Sequence, residues 1–391
     1  MKYLIVFFDR STLKNIVPTL AIAPDVIKYF YDPDVFSYYD IYSTFEACRK
    51  YIPGLRFEVG ALDEHDYAQV YETVETMINH THPDEVCIDL TGGSELAVIA
   101  GYEAGMCCGC DVYYTDIWKN KLFWLNAKQC IESVLPFDME DLVTAFGGKL
   151  LGYSDDDFLW KYQKSLFTMS DYLIHRLNRW LRTSQYLQKY NSRLRQESRL
   201  HFKAPFEHSK NDTQLLPDMT LLEEFQKQGL IRYLSVNEKH VEFAYANVKM
   251  MDYMSSYGVW LELYTYYHLL RMDAVRDVHT SLKVDWNAHD HIEIIGNEID
   301  VTCMYKSRPV IISCKQSTGP ITADTLNELY VVSRRIGGKY AIPILVTCSD
   351  MKTKHLALYL KAKEMGIHLL DISDVRSGSF LECLKRIITA K

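Results

Sequence analysis

The stretch Glu85-Val86-Cys87-Ile88-Asp89-Leu90-Thr91-Gly92-Gly93-Ser94-Glu95 decides how the N-terminal part of this chain is read. A short apolar run, Glu85–Leu90, meets a pair of glycines, and a helix-like segment, Glu95–Met106, begins at once. Glycine allows close backbone approach, Ser94 suits a helix N-cap, and the free N–H groups of a helix start attract an anion. Two readings stay open on these residues alone: a cradle for a phosphate-bearing ligand, or a tight structural turn. The pattern is neither G-x-G-x-x-G nor a Walker loop with its lysine, which argues against dinucleotide chemistry and NTP hydrolysis.

Outward from this junction, strand and helix signals alternate. Lys2–Phe8 and Leu55–Leu62 read as strands, Phe45–Tyr51 and His65–Ile78 as helices. Asp111–Ile117 is a further strand, turning at Lys119-Asn120 into Leu122–Leu125 as a hairpin. Such alternation implies a mostly parallel sheet covered on both faces, with ligands beyond the carboxyl ends of its strands. That places attention on Asp9–Asn15 and Thr91–Glu95. Lys2 before an apolar run, with Ala21-Ile22-Ala23 further on, mimics a secretory leader. The run is too short and Asp9-Arg10 interrupts it, so it reads as a first strand.

With 391 residues, the chain is long enough for two or three domains. Its 48% hydrophobic and 24% charged residues are ordinary for globular proteins, which excludes collagen-like and disordered classes. No apolar run reaches the roughly 18–20 residues of a membrane span, so no membrane partner is expected. Ten cysteines in so long a chain do not make a disulfide framework, and a reducing cytoplasm is expected. Cys107-Cys108-Gly109-Cys110 has a C-x-x-C spacing but no matching second pair, and reads as small cysteines at a helix-to-strand turn.

The net charge of −8 hides an asymmetry, since Leu159–Lys203 carries ten Lys/Arg against Asp171 and Glu197. This block is either a footprint for a polyanion or a solvated helical face. Gly147-Gly148 and Ser154-Asp155-Asp156-Asp157 mark a linker. Leu221–Gln228, followed by Ile231–Ser235 and Val241–Tyr245 hinged at Asn237-Glu238, suggests a winged-helix-like module. The expected division is residues 1–145, 146–250 and 251–391.

The C-terminal part carries the denser chemistry. Gly258-Val259-Trp260-Leu261-Glu262 opens a helix, Asn297-Glu298-Ile299-Asp300-Val301 is a strand, and Lys306-Ser307-Arg308-Pro309 turns into Val310–Gln316. Asp300 and Lys315 then lie on adjacent antiparallel strands, and Ser313 and Lys315 share a face. Carboxylates so placed hold Mg²⁺ or Mn²⁺, and a nearby lysine orients or activates water. Taken singly, Glu262, Asp300 and Lys315 each have a solvent-facing reading. His289-Asp290-His291, near Asp285 and Glu293, reads as a polar loop with a lesser metal reading. Tyr264, Tyr266 and Tyr267 on the Glu262 helix read mainly as packing, with base stacking as the alternative.

Asp89-Leu90-Thr91-Gly92-Gly93-Ser94, after a first strand ending at Phe8, resembles the CARF (CRISPR-associated Rossmann fold) domain. Asn297–Lys315, with Trp260-Leu261-Glu262 before it and Arg335-Ile336-Gly337-Gly338-Lys339 after it, is similar to the PD-(D/E)xK, restriction-endonuclease-like half of CARF-fused effectors of type III CRISPR defence. The resemblance implies an α/β chain: a Rossmann-like CARF domain, a helical or winged-helix-like middle, and a restriction-endonuclease-like domain. It implies a homodimeric nuclease activated by a cyclic oligoadenylate, cyclic tetra-adenylate being the expected ring. The ligand would lie against Asp9, Arg10, Ser11, Thr12, Thr91, Gly92, Gly93, Ser94 and Glu95. Glu262, Asp300 and Lys315 would be catalytic, with metal on Glu262, Asp300, the Cys314 carbonyl and, as a substitute, Glu298. The substrate would be single-stranded DNA or RNA, or supercoiled DNA. Two departures stand out: many relatives carry lysine where this chain has Glu95, and the usual acid two before the lysine is Ser313. A ligand-controlled transcription regulator with a decayed nuclease fold, and a sensor that cleaves its own ligand, are the alternatives.

Overall fold

In a computed structural model, the described residues are 1–132, 135–154, 156–196, 200–205, 216–237, 239–288, 292–317 and 321–390. The N-terminal sheet has seven strands in the order Arg56–Ala61, Val26–Tyr31, Tyr3–Phe7, Val86–Asp89, Asp111–Asp116, Lys121–Trp124 and Gln129–Glu132. The first five are parallel, and the last two run back antiparallel as a meander. Tyr3–Phe7 is buried along its whole length, as a central parallel strand flanked by helices on both faces should be. Val26–Tyr31, which the sequence reading does not assign, completes the parallel order.

A second sheet has the order His368–Leu370, Ile342–Thr347, Arg308–Lys315, Asn297–Tyr305, Val275–Asp285 and Lys149–Gly152. Its last strand corrects the linker expectation. Lys149–Gly152, between the expected punctuation marks, pairs antiparallel with Val275–Asp285. Four residues between glycines look like loop locally, and only the distant partner strand supplies their hydrogen bonds. The Asn297–Tyr305 and Arg308–Lys315 strands form a hairpin around Lys306 and Ser307, with Lys306 at φ +54°.

Between the sheets in sequence, helix Met219–Lys227 and the hairpin Ile231–Val236/His240–Tyr245 form as expected, and His201–Pro205 adds a third strand. Trp180, Phe225 and Trp260 bring this module onto the second sheet's domain, with ring centroids 5.4–5.9 Å apart. Part of the basic block is internally engaged. Arg179 pairs with Asp218, Lys203 with Glu242 at 3.0 Å, and the Arg176 guanidinium lies 3.7 Å over the Tyr172 ring. Arg193, Arg195 and Arg199 have side chains outside the described residues.

The N-terminal and C-terminal sheets are joined by a common core. Ile16 and Val17 of helix Thr12–Ile22 belong to the same buried cluster as Leu326, Ile336 and Tyr340. No helix among the described residues is long and apolar enough to cross a membrane.

Candidate functional site

The strand register Val301↔Ile312 puts Asp300 beside Ser313 at the open end of the hairpin. Asp300 Oδ2 accepts hydrogen bonds from the Cys314 N–H at 2.6 Å, the Ser313 hydroxyl at 3.2 Å and Lys315 Nζ at 3.4 Å. The Asp300 backbone is held in turn, its carbonyl accepting from Thr280 at 2.9 Å. A cavity of about 40 Å³ opens here, lined by Glu298, Asp300, Ser313, Lys315 and, from helix Ala323–Gly337, Glu328. That is room for a water or an ion.

Glu262 sits in the first turn of helix Val259–Leu269. Burial, then the charges of Asp300 and Glu298, push its carboxyl up to about 8 against the pull of Lys315. Lys315 and the acidic residues therefore form one electrostatic neighbourhood. Gln316, which the sequence reading missed, anchors this helix: its side-chain oxygen accepts from the Leu261 N–H at 3.0 Å. Its position directly after Lys315 is the signal that was available. Among the described residues, no three His, Cys, Asp or Glu are grouped tightly enough to hold a metal by themselves. Tyr264, Tyr266 and Tyr267 are buried, Tyr264 against Phe167 and Phe380, which makes them packing residues. His289-Asp290-His291 lies outside the described residues.

At the other end of the molecule, both expected loops meet at the carboxyl ends of the central strands. A Cβ on Gly92 would come within 2.4 Å of the Phe7 carbonyl and 3.2 Å of Asp9 Cβ. Gly93, at φ +84°, would come within 2.5 Å of Phe7 Cβ. These glycines let Thr91–Ser94 lie directly on the Phe7–Asp9 loop. Asp9 is fixed by Lys14 at 2.6 Å, by the Ser11 N–H at 2.8 Å and by Asn15. Arg10 and Glu95 are exposed, while Thr12 and Thr91 are buried.

The helix N-terminus behind Ser94 has an occupant that sequence reasoning missed. Glu64 Oε2 accepts from the Ser94 N–H at 2.7 Å, and the Ser94 hydroxyl donates to the Glu64 carbonyl at 2.6 Å. A carboxylate of the chain itself thus takes one donor expected to face a phosphate. Burial holds the Glu64 carboxyl above its usual range despite that bond, and Asp9 and Asp32 add to the effect. Glu64 follows the third parallel strand, so its place at the ligand end was visible only once that strand was ordered in the sheet.

Residues 253–385 match the family model described as "Card1-like, endonuclease domain". Over the whole chain the fold is similar to that of Can2 from Sulfobacillus thermosulfidooxidans, solved in complex with cyclic tetra-adenylate. The TM-score is 0.72 at 15% identity, covering 100% of both chains. It is also similar to VC1899 from Vibrio cholerae, with TM-score 0.79, 15% identity, and coverage of 99% of this chain and 98% of that one. No curated protein matches at the level of sequence. The chain thus shares the whole-chain α/β fold of these proteins, and the Asp300–Lys315 hairpin lies inside the segment that matches the Card1-like endonuclease model.

Asp89 offers a direct check of the glycine-loop geometry. Fully buried, it accepts from the Thr91 hydroxyl at 2.6 Å and the Thr91 N–H at 3.2 Å. Burial pushes its carboxyl up from 3.8 to about 7, outweighing those bonds and the Lys14 charge. The folded state therefore holds a proton that the unfolded chain releases, and stability falls as pH rises through that window. Asn at position 89 does not titrate, so the melting temperature of Asp89→Asn should gain on that of the wild type between about pH 4 and 7. A difference independent of pH would contradict this burial.

Proposed function

We propose that this chain is a homodimeric, cyclic-oligoadenylate-activated, metal-dependent endonuclease, with cyclic tetra-adenylate as activator. The observation that carries the proposal is the Asp300 carboxylate clamped by Cys314, Ser313 and Lys315, with Glu262 in the same electrostatic field.

The donor set suits Mg²⁺ or Mn²⁺. Half-buried Glu262, its carboxyl pushed up by burial and by the charges of Asp300 and Glu298, would be held ionised by a hard divalent cation bound beside it. Asp300 and Glu262 would hold the ion, with the Cys314 carbonyl, water and Glu298 as further oxygens. When bound, such an ion polarises the scissile phosphate and lowers the pKa of its water. Lys315 stands beside Asp300, where its ammonium opposes the charge that develops on the phosphoryl oxygens. Ser313 keeps Asp300 oriented without adding a charge, so the metal requirement should be higher than with an acid at that position.

The sensor would bind its ring across the two-fold axis of a dimer. Helix Glu95–Cys108 supports that arrangement. Ala97, Ala100, Gly101, Ala104 and Gly105 pack inward, yet Leu96, Ile99, Tyr102 and Met106 are 41–55% exposed on the same helix. A helix apolar on both sides needs a second partner. Nucleic acid, as single-stranded DNA or RNA or supercoiled DNA, would be the substrate. A ligand-controlled regulator is the second reading, favoured by the helix and three-stranded sheet over 201–245.

Asp300→Ala, in saturating Mn²⁺ and cyclic tetra-adenylate, should lose cleavage by roughly a hundredfold or more. Ser313→Ala should lose much less, and Lys315→Ala should lower kcat with little change in KM. Full activity of Asp300→Ala would remove the hairpin from the active site. Site-specific duplex binding by a wild type that never cuts would favour the regulator. Separately, Ile99→Glu should convert the dimer to a monomer in light scattering, and an unchanged dimer would contradict the assigned face.

A further inference from the structure

A cavity of about 300 Å³ lies where the N-terminal domain touches the C-terminal domain, and neither half of the proposed activity uses it. It is lined by Trp118 from the turn after strand Asp111–Asp116, and by Arg308, Tyr330, Ser333, Arg334 and Lys339 of the C-terminal domain. Arg308, Pro343 and His368 bring to it the leading ends of strands Arg308–Lys315, Ile342–Thr347 and His368–Leu370. Lys315 is at the trailing end of the first of these, so the cavity and the Asp300 site lie at opposite ends of the sheet.

Its charge is one-sided. No carboxylate lines it among the described residues, and none pairs with Arg308, Arg334 or Lys339. Arg308 is only 7% exposed, a costly position for a guanidinium without a counter-anion. Among the described residues its one hydrogen bond runs from Nε to the Tyr340 carbonyl at 2.9 Å, and its guanidinium lies 4.3 Å over the Trp118 ring. Arg334 lies likewise over Tyr330 at 5.1 Å. Guanidinium groups carried on aromatic rings keep N–H donors for bidentate contact with phosphate. Ser333, 2% exposed, has a buried hydroxyl with no hydrogen-bond partner among the described residues. A volume near 300 Å³ is at the small end of ligand sites.

We propose that this seam binds a nucleotide phosphate, held by Arg308, Arg334 and Lys339, with the Ser333 hydroxyl as a further donor. The seam is also mechanically placed. Gly338, which lines the cavity at φ +57°, lies so close to Ser11 that a Cβ there would meet the Ser11 hydroxyl at 2.9 Å. Asn120 and Ser307 share a hydrogen bond across the same boundary. An occupant would therefore touch both domains beside the Asp9–Thr12 loop.

The test is calorimetric binding to the full-length protein, with AMP, a twelve-nucleotide single-stranded DNA and cyclic tetra-adenylate as separate probes. The readout is binding, so the inference stands or falls apart from cleavage. Arg334 and Lys339 are exposed, and the double substitution Arg334→Gln/Lys339→Gln should leave the fold intact. At least one probe should bind the wild type, and the double variant should weaken that probe roughly tenfold or more, the loss expected for charged hydrogen bonds. Its salt dependence should become shallower as well. AMP as the responsive probe makes a free nucleotide the source, the DNA makes it a strand, and the ring alone makes the seam part of the activator's site. The inference is overturned if no probe binds the wild type, or if every probe binds the double variant as it binds the wild type.

Discussion

The pairing of Asn297–Tyr305 with Arg308–Lys315 is the constraint on which the candidate chemistry depends. Register Val301↔Ile312 sets Asp300 opposite the start of the Ser313-Cys314-Lys315 run. A slip of one residue would turn Ser313 and Lys315 to the other face and bring Cys314 round in their place. The register is held by what lies on both sides. Val301, Cys303, Val310, Ile312 and Cys314 pack into one core, while Met304 and Ile311 pack into the other. With both faces buried, no alternative pairing keeps the apolar side chains covered, so the Asp300 carboxylate is placed by the hydrophobic core beneath it.

The second of those cores does not stop at the domain boundary. It runs from Leu4, Val6 and Ile16 in the N-terminal part to Leu326, Leu329 and Ile336 in the C-terminal part. Leu326 and Leu329 lie on helix Ala323–Gly337, which also lends Glu328 to the cavity beside Asp300. At its far end this helix stops at Gly337, and Gly338 meets Ser11. One rigid element therefore touches the loop expected to bind the activator and the cavity expected to cut. Packed interiors transmit small displacements because they are dense, which gives an activator a physical route to the nuclease.

Much of this was legible from residues alone, because the signals are local. The strand–glycine–helix junction at 86–95 is written in adjacent residues, and so are the two apolar strands with polar turn that carry Asp300 and Lys315. What stayed hidden was long-range. Lys149–Gly152 looks like part of a linker until Val275–Asp285 lies beside it. Glu64 looks like any surface acid until the order of the parallel strands brings it onto the Ser94 N–H. Gln316 reads as the residue after a lysine until helix Val259–Leu269 offers it the Leu261 N–H. Part of the basic block behaved as a structural face, with Arg179 and Lys203 paired to Asp218 and Glu242. Three cations without a carboxylate partner among the described residues, Arg308, Arg334 and Lys339, are scattered in sequence and converge on one cavity only in the fold.

The central claim is that one chain couples a ring-shaped second messenger to phosphodiester cleavage. The most direct measurement incubates the wild-type protein and Mn²⁺ with supercoiled plasmid and with single-stranded RNA and DNA, each with and without cyclic tetra-adenylate. The account predicts cutting of at least one substrate that appears only with the activator. Cutting that is equal with and without every cyclic oligoadenylate, or absent under all of these conditions, would contradict it.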